Sequence, residues 1–222
     1  MARIARVVVE NYPHHIIQRG NRKQKVFFKK EDYQEYLALL EENAEKNNVD
    51  ILTYCLMPNH IHLIAVPCKN GNLAQAIGET HRKYTRYINF REEWRGYLWQ
   101  GRFSSYVLDQ KYLLAALRYI LLNPVKAKLV SKAYNYQWSS IKQHIDRGEN
   151  KFIKDKLLQR LINNWKDFLS TESEAEDVKI FQTHERTGRP LGNRPFLSRV
   201  EQILGRDLKR QKPGPKKKTA DN

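Results

Sequence analysis

The chain has 222 residues, of which 41% are hydrophobic, and this suffices for one or two small domains. Its apolar runs are shorter than the roughly 18–20 residues of a membrane span, and its two cysteines lack the CxxC spacing of a zinc knuckle. Forty Lys and Arg against 24 Asp and Glu give a net charge of +16, which favours a polyanionic partner.

The composition also indicates the cellular compartment and the type of partner. The first residues are too short an apolar stretch, interrupted at Glu10, to be a secretory signal. No basic helix with a large apolar face is visible, so nucleic acid is favoured over an anionic membrane surface. We therefore expect a cytoplasmic, nucleoid-associated protein that binds nucleic acid, with no membrane partner and no small-molecule substrate.

The first predicted element is a strand around His14–Arg19. A strongly basic loop follows it, with the sequence RGNRK. We expect Arg19, Arg22 and Lys23 to contact phosphates or bases. A solvated turn would have the same composition, so both interpretations stay open.

A helix and two strands come next. Helical spacing predicts a helix over residues 32–46. Residues 50–57 (DILTYCLM) and 60–66 (HIHLIAV) have the β-branched and aromatic composition of strands. Because only Pro58 and Asn59 separate them, the sequence predicts an antiparallel hairpin.

The second strand of this hairpin carries a His-x-His pair. His60 and His62 are expected on one face, with Cα atoms about 6.5–7 Å apart, and two imidazoles at that spacing can bind one divalent cation. Ile61, Leu63 and Ala65 alternate on the opposite face, which predicts that this face is packed. Two half-buried, hydrogen-bonded histidines without a metal are the alternative.

A second helix is predicted over residues 72–91. It carries Arg82, Lys83 and Arg86 interleaved with tyrosines, and aromatic side chains beside cations are typical of surfaces that bind unpaired bases. We expect these three cations to contact DNA. An ordinary amphipathic helix with its tyrosines in the core explains the same pattern.

A strand-like segment covers residues 97–108, and we expect Arg102 within it to lie near a phosphate. Asp109 is a suitable N-cap for a last helix from Gln110 to about Leu122. That helix is predicted to stop before Pro124, because the residue before a proline disfavours helical backbone.

The resulting βαββαβα order predicts an α+β ferredoxin-like sandwich over residues 1–148, with an antiparallel sheet and its helices on one face. Residues 149–185 are predicted as a helical, acidic connector. Residues 186–222, with 11 basic and three acidic side chains, are predicted as a basic DNA-binding extension, partly disordered. A helix in this extension would place four apolar side chains on one side: Phe196, Val200, Ile203 and Leu204.

A tyrosine on one of the last two helices of the sandwich could act as a nucleophile. Spacing alone does not choose among the candidates, which are Tyr84, Tyr87, Tyr112 and Tyr119. A phenol at the edge of a buried helix is more often a core side chain with a hydrogen-bonded hydroxyl.

Three segments together resemble a known family. MPNHIHLIAVP looks like the HUH motif (His, hydrophobic, His) of the single-tyrosine transposases, and LWQGRF is similar to one of their strands. YILLNPVKAKLV resembles the segment that carries their nucleophile. Their order and spacing are far more specific than any one motif. The resemblance covers about residues 10–140 and extends to the repeat-associated (REP-associated) tyrosine transposases, which are linked to repeated extragenic palindromes.

This resemblance implies the HUH endonuclease fold and a set of site residues. It implies that Tyr119 is the nucleophile and that His60 and His62 bind a divalent metal ion, Mg or Mn. Asn123 would be the third ligand, although some members have Gln there and this Asn precedes Pro124.

The implied activity is metal-dependent nicking and strand transfer on single-stranded or hairpin DNA, through a 5′-phosphotyrosine intermediate. Relatives act as monomers or as homodimers that exchange tyrosine helices, and both forms stay open. Two other functions also stay open: a non-catalytic hairpin DNA-binding regulator derived from a transposase, and a nuclease that activates water.

Overall fold

The computed structural model describes residues 5–146, 152–171 and 175–208. Strands and helices alternate in the N-terminal part as predicted: β1 His14–Arg19, α1 Lys30–Lys46, β2 Val49–Met57, β3 His60–Pro67, α2 Leu73–Arg91, β4 Ser104–Val107 and α3 Gln110–Lys126. Five α-helices follow in the described residues: α4 Ile141–Asp146, α5 Lys156–Leu161, α6 Trp165–Ser170, α7 Ala175–Thr187 and α8 Arg194–Leu204. No helix in these ranges is long and apolar enough to cross a membrane.

The strands form one antiparallel sheet in the order β2-β3-β1-β4. β2 and β3 make the predicted hairpin, in which Met57 pairs with His60. β1 lies between β3 and β4, so that His15 pairs with Ile64 on one side and with Tyr106 on the other. This order places the His-x-His strand inside the sheet and next to β1.

Different helices cover the two faces of the sheet, which corrects one expectation. α1 and α2 pack on the face that carries Ile16, Ile61 and Leu63. α3 packs on the other face, against Ile17 and Ile64, whereas the order of elements predicted helices on one face only. β1 and β3 carry apolar side chains on both faces, so both faces must be shielded from water. The α+β class and the antiparallel sheet are confirmed.

Helix α3 is one turn longer than predicted. It continues through Pro124 to Lys126 instead of ending at about Leu122. Proline has no N–H and cannot bond to the carbonyl four residues earlier. Pro124 is buried on the apolar face, and only Val125 and Lys126 follow it in the helix. The Ala127 N–H closes the last turn by donating to the Asn123 carbonyl (2.9 Å).

β4 is shorter than the predicted strand-like segment over residues 97–108. Before β4 the chain stays beside the end of β1, because Trp99 forms a bridge with Gly20 and the Gln100 N–H donates to the Arg19 carbonyl (2.8 Å). Gly101, at a left-handed φ of 66°, then turns the chain into β4. The side chains that follow β1 and precede β4 are thereby brought together.

The segment predicted as a connector packs against the sheet domain. Ile153 forms a parallel bridge with Ile51 of β2. Phe181 of α7 is 2% exposed and lies in the core formed with α3. These contacts place α7 next to the face of the sheet that α3 covers.

Helix α8 lies at the edge of the sheet that β4 forms. Val200 is buried together with Val7 and Val107, and Phe196 and Leu204 pack on the same cluster. Ile203, expected on the same side of this helix, is instead 54% exposed. The predicted basic tail, residues 209–222, lies outside the described residues.

Asp109 begins helix α3, as predicted. Its Oδ1 accepts from the Tyr112 N–H (2.9 Å), and its Oδ2 accepts from the Asn193 N–H (2.9 Å). We expect Asp109→Ala to lower the free energy of unfolding by about 1 kcal/mol, because the N-cap bond is removed. Denaturant unfolding followed by circular dichroism measures the change. Asp109→Ser is the control, since Ser also caps a helix and, like Ala, lacks the second oxygen that accepts from Asn193; a loss as large as that of the alanine variant would contradict the capping role.

Candidate active site

The His-x-His pair projects from β3 toward α3. The ring centroids of His60 and His62 are 5.1 Å apart, and the rings are nearly perpendicular. Because side chains alternate along a strand, both histidines share a face with Ile64, which packs against α3. Ile61 and Leu63 pack on the opposite face, as predicted. His62 is buried and His60 is partly exposed.

Each of these two imidazoles has a partner at Nδ1. His60 Nδ1 lies 2.6 Å from Oδ1 of Asn59, and His62 Nδ1 lies 3.0 Å from Nε2 of His15. Neither Nε2 atom has a hydrogen-bond partner among residues 5–146, 152–171 and 175–208. When the proton is on Nδ1, both Nε2 lone pairs are available as ligands.

Burial keeps both imidazoles uncharged. Burial lowers the pKa of His60 to about 3, with a smaller contribution from the charge of Arg19. Burial also holds the pKa of His62 well below its usual value, with further lowering from His60 and His15. Desolvation disfavours the charged ring, and the neutral imidazole is the form that binds a metal.

Tyr119 lies on α3, facing the histidines. Its ring centroid is 5.6 Å from that of His62 and 6.3 Å from that of His15, and it meets both rings edge-on. The Phe181 ring of α7 packs against Tyr119 at 5.3 Å. The phenol and the histidine pair therefore share one side of the sheet within a single chain.

Asn123 and Lys126 follow Tyr119 along the same side of α3. The Asn123 Nδ2 donates to the Tyr119 carbonyl (3.3 Å), and the Lys126 Nζ lies 5.6 Å from the centre of the Tyr119 ring. Lys126 reaches this position because the helix continues past Pro124. Burial raises the pKa of the Tyr119 hydroxyl, an interaction with the Asn123 amide lowers it, and the Glu185 carboxylate raises it.

The structure distinguishes among the four tyrosines that spacing left open. Tyr84 is fully buried in the layer of α1 and α2, where its hydroxyl donates to the Val26 carbonyl (2.7 Å). Tyr87 packs against the same core. Tyr112 lies on α3 but packs beside Lys111. Tyr119, in contrast, has its ring against that of His62.

Two of the predicted DNA-contacting arginines line a cleft beside the histidines. Arg19 and Arg102 border this cleft of about 370 Å³ together with Arg186 of α7, and Glu185 also lies in its wall. Arg19 pairs with His60 across β1 and β3. The cleft therefore brings three arginine side chains together next to the histidine pair.

The loop after β1 lies on the same side. Arg22 and Lys23 are exposed and have left-handed backbone, with φ of 51° and 61°. The Lys23 carbonyl accepts from Nδ2 of Asn59 (3.1 Å), which precedes His60 directly. The basic loop is thus attached to the turn that carries the first histidine.

The three basic side chains of α2 that were predicted to contact DNA lie away from the histidine pair. Arg82 is paired with Glu79 (2.7 Å) and Lys83 with Glu42 (2.9 Å), while Arg86 is exposed. α2 covers the sheet face opposite to the histidines. The structure therefore does not bring these cations to the histidine pair.

Five residues at or beside the site were not predicted from the sequence: Asn59, His15, Tyr106, Phe181 and Arg186. Two adjacent histidines on β1 were visible in the sequence, but strand alternation does not say which one faces the site. Phe181 and Arg186 are distant in sequence from the three motifs, and no local pattern marked them.

The donor set fits a divalent cation. Two imidazoles that bind one cation through Nε2 at about 2.1 Å have ring centres about 5 Å apart, close to the observed 5.1 Å. Asn123, the predicted third ligand, lies one turn after Tyr119 on the facing helix. Within the described ranges no group of three or more His, Cys, Asp and Glu side chains is arranged for a metal ion. The candidate set is two imidazoles and one amide.

Comparisons with known proteins found similar sequences and a similar fold. Residues 8–123 match the family model described as "Transposase IS200 like". Over 122 residues the chain is 28% identical to a Haemophilus influenzae protein assigned to the REP-associated tyrosine transposases, covering 50% of this chain and 69% of that one. A solved REP-associated tyrosine transposase bound to a REP hairpin is similar with a TM-score of 0.58 at 19% identity, covering 68% of this chain and 90% of that one. The structural likeness confirms the predicted HUH-type α+β fold.

Proposed function

Because the chain belongs to the IS200-like transposase family, whose model matches residues 8–123, we propose that it cuts and rejoins single-stranded DNA with Tyr119 as the nucleophile. The observation that carries this proposal is the Tyr119 ring, edge-on to His62 at 5.6 Å on the face of the sheet where both histidines lie. A phosphate group between the phenol and the imidazoles would be in reach of both. A monomer would then contain a complete site.

Hairpin-forming palindromic DNA is the proposed substrate. A relative of the same fold has been solved with a REP hairpin bound, and a second relative is assigned to the REP-associated transposases. The net charge of +16 supports binding of a polyanion.

We assign His60 and His62, through their Nε2 atoms, as ligands of a divalent cation, Mg²⁺ or Mn²⁺, with Asn123 as the third ligand. When bound, the cation would neutralise charge on the scissile phosphate and orient it for attack. The neutral imidazoles need not lose a proton before they bind it. Imidazole ligands suit Mn²⁺ better than Mg²⁺, which prefers oxygen.

The proposed reaction is a transesterification. The phenol oxygen of Tyr119 bonds to phosphorus, and the bond between phosphorus and the 3′ oxygen breaks, which leaves a 5′-phosphotyrosine and a free 3′-hydroxyl. The phenol gives up its proton, and the leaving oxygen takes one up. Free tyrosine has a pKa near 10, and burial raises the pKa of Tyr119 further, a rise that the Asn123 amide offsets only in part. A 3′-hydroxyl can reverse the step without ATP.

The cleft and the adjoining loop are the proposed path of the DNA strand. Arg19, Arg102 and Arg186 border the cleft beside the histidines, and Arg22 and Lys23 extend the positive surface along the next loop. Guanidinium groups bind phosphate oxygens with paired hydrogen bonds. We propose that these side chains hold the phosphates that flank the scissile bond.

We expect Arg22→Ala to weaken hairpin binding and to reduce the slope of log K against log salt by about 0.7 for each single-strand phosphate that the side chain neutralises. Fluorescence anisotropy at several salt concentrations measures both effects. Arg82→Ala is the matched comparison, because Arg82 is paired with Glu79 on the other face of the sheet. An equal change of slope in the two variants would show that the α2 surface also contacts DNA and would contradict the proposed path.

A direct assay tests the proposed activity. The full chain is incubated with a labelled single-stranded hairpin and Mn²⁺ or Mg²⁺, and products are separated on a denaturing gel. A labelled band that migrates with the protein is the expected result. Hairpin binding without any cleavage in either metal would instead identify a non-catalytic DNA-binding regulator, and cleavage without an adduct would identify a nuclease that uses water.

A further inference from the structure

A chain of hydrogen bonds runs from His62 into the sheet. His62 Nδ1 lies 3.0 Å from Nε2 of His15, and His15 Nδ1 lies 2.7 Å from the hydroxyl of Tyr106. The three side chains come from the adjacent strands β3, β1 and β4. His15 pairs directly with Tyr106 and lies diagonally across from His62, whose own partner is Ile17. Strand register therefore determines this arrangement.

All three side chains of this hydrogen-bond chain are buried. His62, His15 and Tyr106 are 2%, 1% and 0% exposed. A buried polar group without a partner costs the full penalty of its desolvation, since water cannot replace the partner. The three groups are thus held to one another, and rotation of the His62 ring would break its bond to His15.

Counting protons along the hydrogen-bond chain leaves two arrangements. A neutral imidazole has one N–H, and the contact between His62 Nδ1 and His15 Nε2 holds one proton. If His15 Nε2 carries that proton, His62 must be protonated at Nε2 and cannot act as a ligand. If His62 Nδ1 carries it, His15 is protonated at Nδ1 and donates to the Tyr106 oxygen, and the Nε2 lone pair of His62 is open.

For His60, one neighbouring side chain selects the tautomer. Its Nδ1 faces Oδ1 of Asn59, and the Asn59 Nδ2 donates to the Lys23 carbonyl. That second bond determines which end of the amide faces the ring. Because the amide oxygen only accepts, it requires the proton of His60 at Nδ1.

We propose that His15 with Tyr106, and separately Asn59, are positioning residues that hold His62 and His60 with Nδ1 protonated and Nε2 open toward a divalent cation. Partners at the second nitrogen of a metal-bound histidine orient the ring and select its tautomer. The inference rests on the proposed function, because it takes both histidines as ligands. None of the three positioning side chains needs to touch DNA or the cation.

The affinity for Mn²⁺ tests the proposed role of His15 and Tyr106 in positioning His62. It is measured with the full chain, from the electron paramagnetic resonance signal of free Mn²⁺. We expect His15→Phe to weaken binding about 10–100-fold, because the acceptor for His62 is removed. His15→Gln places an amide oxygen near the former Nε2 position, so it should restore affinity to within about threefold of the wild type. Tyr106→Phe should weaken binding about tenfold, since His15 then has no acceptor for its own N–H.

A matched control separates this role from a loss of packing. Tyr36 and His81 form an equally buried pair on the other face of the sheet, with 3.0 Å between the Tyr36 hydroxyl and His81 Nε2. Tyr36→Phe should reduce thermal stability about as much as Tyr106→Phe does, and leave Mn²⁺ affinity unchanged. If His15→Phe does not fold, the comparison of the two tyrosine variants decides alone.

Failure of the inference and failure of the proposed metal site are distinguishable. Unchanged Mn²⁺ affinity in His62→Ala would overturn both. A large loss in His62→Ala with wild-type affinity in His15→Phe and Tyr106→Phe would overturn the positioning role alone. An equal loss of affinity in Tyr36→Phe and Tyr106→Phe would also overturn it, because general loosening would then explain the effect.

Discussion

Tyr119→Phe is expected to abolish the covalent protein–DNA adduct and to reduce hairpin cleavage by at least about 10³-fold, a typical consequence of removing a nucleophile. The ring would still pack between His62 and Phe181, since phenylalanine keeps the edge-on contacts at 5.6 and 5.3 Å. Hairpin affinity should therefore stay within about twofold of the wild type, because phosphate contacts dominate binding. Gel analysis of adducts and anisotropy measure the two quantities.

Tyr112→Phe is the matched control for this variant. Tyr112 lies on the same helix two turns earlier and packs at the edge of the same core. Its hydroxyl should be dispensable for the adduct. Full cleavage by Tyr119→Phe without an adduct would assign the reaction to activated water and leave Tyr119 a structural side chain.

His60→Ala should lower Mn²⁺ affinity by at least about 100-fold and eliminate cleavage at Mn²⁺ concentrations that saturate the wild type. One of two imidazole ligands is removed, and a cation held by a single imidazole and an amide is bound weakly. His60 is partly exposed, so its removal costs less stability than removal of the buried His62. Mn²⁺ titration of the metal-free protein gives the affinity, and the adduct assay gives the activity.

The control for this loss is a histidine outside the site. His81 is buried against Tyr36 and Trp99 in the layer of α1 and α2. His81→Ala should reduce stability without changing the affinity for Mn²⁺. An adduct formed at the wild-type rate by His60→Ala would show that the metal assignment is wrong, whatever the fate of Tyr119.

The helix that carries Tyr119 illustrates how the site depends on the two-sided sheet. Had α3 packed beside α1 and α2, its phenol would lie across the sheet from His60 and His62. β1 and β3 instead present Ile17 and Ile64 on the second face, and α3 covers them. The same packing that shields these residues from water brings Tyr119 to the histidines.

Local patterns predicted the elements well. The alternation of β-branched side chains, the Pro58-Asn59 turn and the Asp109 cap each act over a few residues, and all three are present in the structure. The predicted end of α3 was wrong because burial of Pro124 outweighed its local preference. Local rules predict an element but not the tertiary contacts that can extend it.

The sequence by itself determined the order of elements, the shared face of His60 and His62, and a family resemblance that selected Tyr119. Tertiary structure alone decided which face α3 covers, which β1 histidine contacts His62, and that Arg186 borders the cleft. The reason is the range of the forces involved. Backbone geometry acts between neighbours in the chain, whereas burial of apolar surface acts between segments of any separation and chooses among arrangements that local geometry leaves equal.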